Sequence, residues 1–197
     1  MPTQRDGMKK SILVAFERLL QQTVYSDIGV NRICTEAHIS KPTFYRYFQS
    51  KEDIVCWLSR EAIRCGVAEI GRKYTWNEGY YRTLTVISRY KVFYADPKGP
   101  SFSNPLNTFC SEYLKVVLFE TLTRYKGIIL TKKLSFQIEA FIHIQSYLLQ
   151  QWGAKDLLMT AETYADYLSS VAPHDLYVSL DEPTDFIVPR DRRFSDV

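Results

Sequence analysis

Apolar residues recur along most of this chain at intervals of three and four positions, which is the spacing of amphipathic helices. Between Met8 and Thr23 this pattern predicts a first helix. Its apolar stripe consists of Ile12, Leu13, Phe16, Leu19 and Leu20. Two much shorter helical patterns follow between Val30 and Phe48, with a tight joint between them. No stretch alternates apolar and polar residues for long enough to indicate a strand, so the pattern predicts an all-α protein.

The first short helix is predicted to bury one face and expose the other. Val30, Ile33, Cys34 and Ala37 recur at the spacing of a single helical face, which leaves Arg32 on the solvent side. A helix of this length is not stable alone. It therefore needs neighbouring helices to cover its apolar face.

The second short helix begins at Ser40, whose hydroxyl can accept a hydrogen bond from the free N–H of Thr43. Proline is tolerated in this first turn, where an N–H would have no intrahelical acceptor. Phe44 and Phe48 lie one turn apart and point inward. The opposite face has no carboxylate and carries Lys41, Pro42, Thr43, Tyr45 and Arg46. Such a face suits phosphate oxygens and base edges, so we predict a helix-turn-helix that binds DNA.

These residues resemble the signature of the TetR (tetracycline-repressor) family. The matching positions are Ile33–Cys34, Ala37, Ile39–Ser40, Thr43–Phe44–Tyr45, Tyr47–Phe48 and Ser50–Lys51–Glu52, where the family carries I-A, A, V-S, T-L-Y, Y-F and S-K-E. The chain departs from that pattern at three positions. Gly29 stands where a Thr cap is usual, His38 replaces a turn glycine, and Pro42 replaces the commonest residue, Gly. His38 is therefore expected to hold a strained turn conformation.

The resemblance implies a three-helix head, a long linking helix and a helical-bundle body. It assigns Thr43 and Tyr45 to bases or adjoining phosphate, and Tyr47 and Lys51 to the DNA backbone. With the exposed polar face added, the predicted DNA-binding residues are Arg32, Lys41, Pro42, Thr43, Tyr45, Arg46, Tyr47 and Lys51. The predicted partner is double-stranded DNA with a palindromic operator, which two heads on a two-fold axis would bind.

We predict three segments along the chain. Residues 1–50 form the DNA-binding head with its motif at about 29–48, residues 51–180 form a regulatory and dimerisation domain, and residues 181–197 form a flexible tail. A capping box at Ser50 starts the linking helix, whose pattern continues from Lys51 to about Tyr74. Further helices are predicted at 78–94, 106–122, 132–152 and 160–171, with a proline-rich loop at 96–105 and a short piece after Pro173.

The last two long helices, 132–152 and 160–171, carry more apolar surface than one body core needs. Their stripes consist of Leu134, Ile138, Phe141, Ile142, Leu148, Leu149 and Trp152, and of Ala161, Ala165, Leu168 and Val171. In the TetR family these helices pair with their copies in a second subunit. We therefore predict a homodimer, the alternative being a monomer that buries both stripes internally.

A surplus of aromatic residues, 14 Tyr and 11 Phe, lies mainly between positions 74 and 177. The family resemblance implies a ligand pocket among the middle helices, and hence a repressor released by a small apolar or aromatic effector. The polar candidates for ligand contacts are Arg89, Tyr90, Tyr94, Tyr113, His143 and Gln145. Each has an alternative role in the core or at an interface, as with His143 between two isoleucines. Control by a partner protein docked on the body is the other hypothesis.

Composition shows a basic N-terminal part on a nearly neutral body, as a DNA-binding head on a separate body should. Residues 1–73 hold 12 basic and 8 acidic side chains, and the remainder holds 13 and 14. Lys9 and Lys10 either face DNA phosphate or are simply solvated. The longest uncharged run, Ala140 to Ala154, is shorter than the roughly 20 residues of a membrane span. With no apolar signal core at the N-terminus, we expect a cytoplasmic protein that makes no membrane contact.

No catalytic, metal or cofactor motif is present. The sequence lacks G-x-S-x-G, a phosphate-binding glycine loop and H-E-x-x-H, and it has only 3 His and 8 Gly. The four cysteines show no C-x-x-C and no histidine at metal spacing, which favours buried free thiols over a redox sensor. We therefore expect no enzymatic activity, no metal and no cofactor.

Overall fold

The structure, a computed structural model, describes residues 4–94, 99, 104–154 and 159–181. The α-helices are α1 (Gln4–Gln22), α2 (Val30–Glu36), α3 (Lys41–Tyr45), α4 (Lys51–Cys65), α5 (Trp76–Arg89), α6 (Asn104–Glu120), α7 (Lys132–Ala154), α8 (Ala161–Ser170) and α9 (His174–Asp181). Short 3-10 helices occupy Tyr25–Asp27, Val67–Glu69 and Lys91–Phe93, and a π-helical turn follows α6 at Thr121–Tyr125. The described residues form no extended strand, as the sequence predicts.

The head is built from α1, α2 and α3 around one apolar core. Helix α1 packs against α2, and α2 packs against α3. The fully buried side chains of this core are Ile12, Phe16, Ile28, Ile33 and Phe44. The apolar stripe predicted for the first helix therefore covers the two short helices.

The linking helix is shorter than predicted. Helix α4 starts at the predicted position, where the Ser50 hydroxyl accepts the N–H of Asp53 at 3.3 Å, but it ends at Cys65 rather than near Tyr74. The reason is Thr83 on α5. Its hydroxyl donates to the carbonyl of Ala62 at 3.2 Å and accepts the N–H of Val67 at 3.0 Å, which occupies the groups that would continue the helix.

A close crossing of α4 and α5 accompanies this termination. A Cβ on Gly66 would lie 2.3 Å from the carbonyl oxygen of Gly79 and 2.3 Å from the Thr83 hydroxyl. Only glycine fits where the two backbones approach so closely. The end of α4 therefore depends on residues of α5 that are distant in the sequence. The pattern of α4 alone predicts a longer helix.

The body surrounds α4 and α5. Helix α4 packs against both α5 and α6, α6 packs against α7, and α8 lies along α5. Helix α9 closes the bundle, where the Trp76 indole N–H donates to the carbonyl of Tyr177 at 3.0 Å and the two rings stack. The predicted loop at 96–105 and the predicted tail at 181–197 lie largely outside the described residues.

A second connection joins body and head besides α4. The 3-10 helix Lys91–Phe93 follows α5 and packs against α1. Phe93 is fully buried there, with its ring 5.4 Å from that of Phe16 in an edge-to-face contact. The head core therefore includes a side chain supplied by the body.

Candidate nucleic-acid interface

The turn between α2 and α3 has the hydrogen-bond pattern of a Schellman motif. The N–H of Ile39 donates to the carbonyl of Cys34 at 2.9 Å, and the N–H of His38 donates to the carbonyl of Thr35 at 3.2 Å. This geometry requires a left-handed residue at position 38, and His38 has φ +53°. The expectation of a strained non-glycine turn is confirmed.

Replacing His38 with glycine should stabilise the head by about 0.5–1 kcal/mol, because the left-handed conformation costs a side chain more than it costs glycine. Urea unfolding followed by circular dichroism measures the change. Thr35→Gly, inside the right-handed helix α2, is the matched control and should destabilise the protein. An equal loss of stability in both variants would contradict the strain assigned to His38.

Helix α3 is held by a cap at its start and by two aromatic anchors. The Ser40 hydroxyl accepts the N–H of Thr43 at 3.2 Å, as the sequence predicts. Phe44 and Phe48 are buried with ring centroids 6.2 Å apart, and Phe48 also contacts Trp57 on α4 at 6.0 Å. These contacts fix a five-residue helix that could not persist in isolation.

The face opposite the anchors carries the predicted DNA contacts. Lys41, Pro42, Tyr45 and Arg46 are exposed, while Thr43 is half-buried with its hydroxyl 2.9 Å from that of Ser40. Within the described part of the chain, neither Lys41 nor Arg46 has a side-chain hydrogen bond or ion pair. Two cations without protein partners on one short exposed helix form a surface suited to phosphate or guanine.

The other three predicted DNA contacts, Arg32, Tyr47 and Lys51, differ in their burial and in their bonds to the protein. Tyr47 is half-buried, and the Arg32 guanidinium donates weakly to the carbonyl of Asp27 at 3.4 Å. Lys51 is engaged more strongly, because its ammonium donates to the carbonyl of Tyr25 at 2.8 Å and lies over the Tyr25 ring. An ammonium has three N–H donors, so Lys51 retains capacity for a phosphate. It also holds the turn before α2 to the start of α4.

A short hydrogen bond reinforces the contact of Lys51. The Tyr25 hydroxyl donates to the Glu52 carboxylate at 2.5 Å. Burial raises the pKa of the Glu52 carboxyl, but the bonds from Tyr25 and Ser50 outweigh burial and hold that pKa below its usual value. Burial, and then the bond to Glu52, raise the pKa of Tyr25. Nothing in the sequence pattern indicates this pair, because its members lie 27 positions apart.

For Lys9 the sequence allows contact with DNA phosphate or simple solvation. In the structure, Lys9 contacts two aromatic rings of the protein. Its ammonium lies 5.4 Å from the Phe48 ring centroid and 5.5 Å from that of Trp57. Lys10 is exposed. Only Lys10 therefore keeps the character of a solvated surface cation.

The sequence profile described as "Bacterial regulatory proteins, tetR family" matches residues 12–55, from the middle of α1 into α4. Over this segment, the chain is similar to the TetR family. The matched segment contains the Schellman turn, the Ser40 cap and both aromatic anchors.

Two bacterial regulators are similar to parts of this chain. DhaS of Lactococcus lactis, an HTH-type dhaKLM operon transcriptional activator, is 30% identical over 94 residues, which cover 45% of this chain and 50% of DhaS. The HTH-type transcriptional regulator EthR of Mycobacterium tuberculosis is 42% identical over 53 residues, covering 27% of this chain and 24% of EthR. The chain thus spans about half the length of DhaS in the first alignment and less of EthR in the second.

Solved structures resemble the whole fold. A structure of DhaS, the dihydroxyacetone kinase operon activator, superposes with a TM-score of 0.60 at 18% identity and covers 88% of this chain and 96% of DhaS. The TetR family repressor AlkX from Dietzia sp. superposes with a TM-score of 0.53 at 13% identity, over 89% of this chain and 99% of AlkX. These likenesses confirm the predicted all-α fold of a helix-turn-helix head on a helical body.

The body contains a cavity bounded by α4, α5, α6 and α7. Of the predicted ligand residues, Tyr94 and Gln145 line it. Arg89, Tyr90, Tyr113 and His143 do not: the Arg89 guanidinium lies over the Tyr90 ring, the Tyr113 ring stacks on Phe109, and His143 is exposed on α7. The sequence pattern could not make this distinction, because polar residues on an amphipathic helix mark its boundary on either side.

The apolar stripes predicted to form the dimer interface are used inside the subunit. Ile138 and Leu168 are 0% and 1% exposed, so both lie in the body core. Other apolar side chains of the same two helices remain uncovered. They are Phe136, Ile144 and Tyr147 on α7 and Tyr167 on α8. Together with Val171 of the predicted stripe, which directly follows α8 and is also exposed, we call them the exposed stripe. No helix among the described residues is long and apolar enough to cross a membrane.

Proposed function

We propose that this protein is a sequence-specific DNA-binding transcriptional regulator whose α3 enters the major groove. The observation that carries the proposal is the exposed α3 face, where Lys41 and Arg46 have no hydrogen-bond or ion-pair partner among the described residues, on a helix held by a cap and two buried rings. A rigid helix with free donors suits recognition of bases and phosphates. The TetR-type match of the head supports the same conclusion.

Selection from a pool of random DNA duplexes with the purified protein tests this proposal. We expect a palindromic sequence to be enriched, with two half-sites about one helical turn apart or a multiple of it. Retention of unrelated duplexes with no common motif would contradict sequence-specific binding. DhaS is named as an activator and AlkX as a repressor, so the predicted repression stays a hypothesis for a reporter assay on the selected operator.

The proposed active form is a homodimer closed by the exposed stripe. Phe136 is 72% exposed, and Tyr147 follows eleven positions later, close to three turns of helix, on the same side of α7. Tyr167 on α8 and Val171 at its C-terminal cap lie four positions apart, about one helical turn. An uncovered apolar surface of this kind on the last long helices supports a second copy as its occupant, because a palindrome requires two heads.

Control by a small molecule is favoured over control by a partner protein, because the body contains a cavity that touches both connections to the head. Ser59 on α4 and Tyr94 line this cavity, and their hydroxyls lie 3.3 Å apart. The residue before Tyr94 is Phe93, which packs on Phe16 in the head. A ligand that displaces Tyr94 from Ser59 would move α4 and Phe93 together, and it would thereby alter the position of the head.

A further inference from the structure

The body cavity has a volume of about 70 Å³ and a mostly apolar wall. Its lining residues are Ser59, Ala62, Ile63, Val67, Thr83, Ile87, Tyr94, Leu106, Asn107, Cys110, Leu114, Gln145, Ser146 and Leu149. None of these side chains is charged at neutral pH, because burial raises the pKa of the Cys110 thiol to about 12 and raises that of Tyr94 as well. The cavity therefore offers no countercharge to an ion.

One wall of the cavity carries buried polar atoms without partners. Gln145 on α7 is 1% exposed, and its Oε1 accepts a hydrogen bond from the Tyr80 hydroxyl at 2.6 Å. Its amide Nε2 is buried and has no hydrogen-bond partner in the described part of the chain, and the same holds for the hydroxyl oxygen of the adjacent Ser146. A buried donor that loses its bond to water is costly, and most buried polar groups in proteins are paired.

The remaining polar groups around the cavity are already engaged. The hydroxyls of Ser59 and Tyr94 lie within hydrogen-bond distance of each other. The Thr83 hydroxyl donates to the carbonyl of Ala62 and accepts the N–H of Val67. Among the described residues of the cavity wall, the polar atoms that lack a hydrogen bond are thus Gln145 Nε2 and the Ser146 hydroxyl oxygen, both on α7. The missing partner is a hydrogen-bond acceptor, because the amide nitrogen of Gln145 can only donate.

The cavity's size limits what can supply that acceptor. Cavities of about 150 Å³ lined by apolar side chains bind benzene, which has six non-hydrogen atoms, so a cavity of half that volume is limited to molecules of no more than about five. We propose that this cavity binds a small uncharged molecule whose carbonyl or hydroxyl oxygen accepts a hydrogen bond from Gln145 Nε2, while its hydrocarbon part packs on Ile63, Ile87 and Leu149. The proposal rests on the proposed function and names the chemical class of its effector.

Titration of three matched probes tests this inference by protein NMR. Butanone carries an acceptor oxygen, 2-methylbut-1-ene has the same shape with a methylene group in its place, and propanoate has the same number of non-hydrogen atoms with a charge. We expect butanone to bind on the order of fivefold more tightly than the alkene, because it satisfies Gln145. Propanoate should bind at least about tenfold more weakly than butanone, since no countercharge compensates its desolvation.

Two variants locate the hydrogen bond. Tyr80→Phe removes the partner of Gln145 Oε1 but leaves the amide donor in the cavity, so it should keep the preference for butanone. The double variant Tyr80→Phe with Gln145→Met replaces both polar partners by apolar groups of similar shape, which limits the loss of stability. There the alkene should bind more tightly than butanone, because the buried carbonyl of butanone then has no donor. A preference for butanone that survives in the double variant would overturn the assignment to Gln145, and so would the absence of any binding, which would show a cavity filled by water only.

Operator binding by the unmodified protein separates this inference from the function on which it depends. If butanone and the alkene fail to bind while a palindromic duplex is still selected, the effector class is wrong and the DNA-binding function stands. If no duplex is selected, the proposed function fails whatever the cavity binds.

Discussion

Replacing Phe44 with alanine should unfold the head, with a loss of about 3–5 kcal/mol in its free energy of unfolding. Phe44 is 0% exposed and contacts the ring of Phe48, so its removal leaves a cavity where α3 is anchored. Urea unfolding followed by circular dichroism measures the change. DNA binding should be lost together with the helical signal of the head.

Tyr45→Ala is the matched control, because it removes an aromatic ring from the neighbouring position of the same helix. Tyr45 is 49% exposed, so its loss should change stability by less than about 1 kcal/mol while it weakens DNA binding. Equal stabilities of the Phe44 and Tyr45 variants would show that α3 is not anchored as described.

Glutamate at both Tyr147 and Tyr167 should convert the protein into monomers with folded heads. The exposed stripe would then have to bury two unpaired charges per subunit in the dimer, which is heavily penalised. Loss of the second head should lower operator affinity by at least about 100-fold, since linked binding sites gain that much or more from each other. Sedimentation velocity and fluorescence anisotropy measure the two effects.

Tyr81→Glu serves as the control for this experiment, because Tyr81 is an exposed tyrosine on α5 outside the stripe. It should leave both the dimer and the operator affinity unchanged. A dimer that survives the Tyr147 and Tyr167 substitutions would place the interface elsewhere. The same substitutions at Ile138 and Leu168 would be uninformative, because both residues lie in the subunit core and the subunit itself would unfold.

The local features of the head could be predicted from the sequence because each depends on neighbours within one or two turns. The Ser40 cap, the paired anchors Phe44 and Phe48, and the turn at His38 are all encoded within eleven consecutive positions. The end of α4 could not be predicted in this way. It depends on Thr83, which lies 16 positions beyond Val67, and on the close approach of Gly66 to Gly79.

In the body, the predicted roles of several residues differ from the structure because the sequence does not show which helix face is buried. Gln145 and His143 are two positions apart on α7, yet Gln145 faces the cavity and His143 faces solvent. Periodicity identifies the two faces of such a helix but not which neighbour covers each of them. For the same reason the predicted interface residues Ile138 and Leu168 fell on the inner face, and the uncovered face carries Phe136 and Tyr147.

The most direct test of whether α3 reads DNA is to measure the DNA affinity of three alanine variants. Each is measured on the selected operator and on a scrambled duplex, across a range of salt concentrations. Arg46→Ala should weaken binding to both duplexes and reduce the slope of log affinity against log salt by about one unit per subunit. Thr43→Ala should cost on the order of 1–3 kcal/mol per lost base contact on the operator alone. Lys73→Ala, an exposed cation on the body, should change neither affinity. Unchanged affinities of the folded Arg46 and Thr43 variants on both duplexes would contradict recognition by this helix.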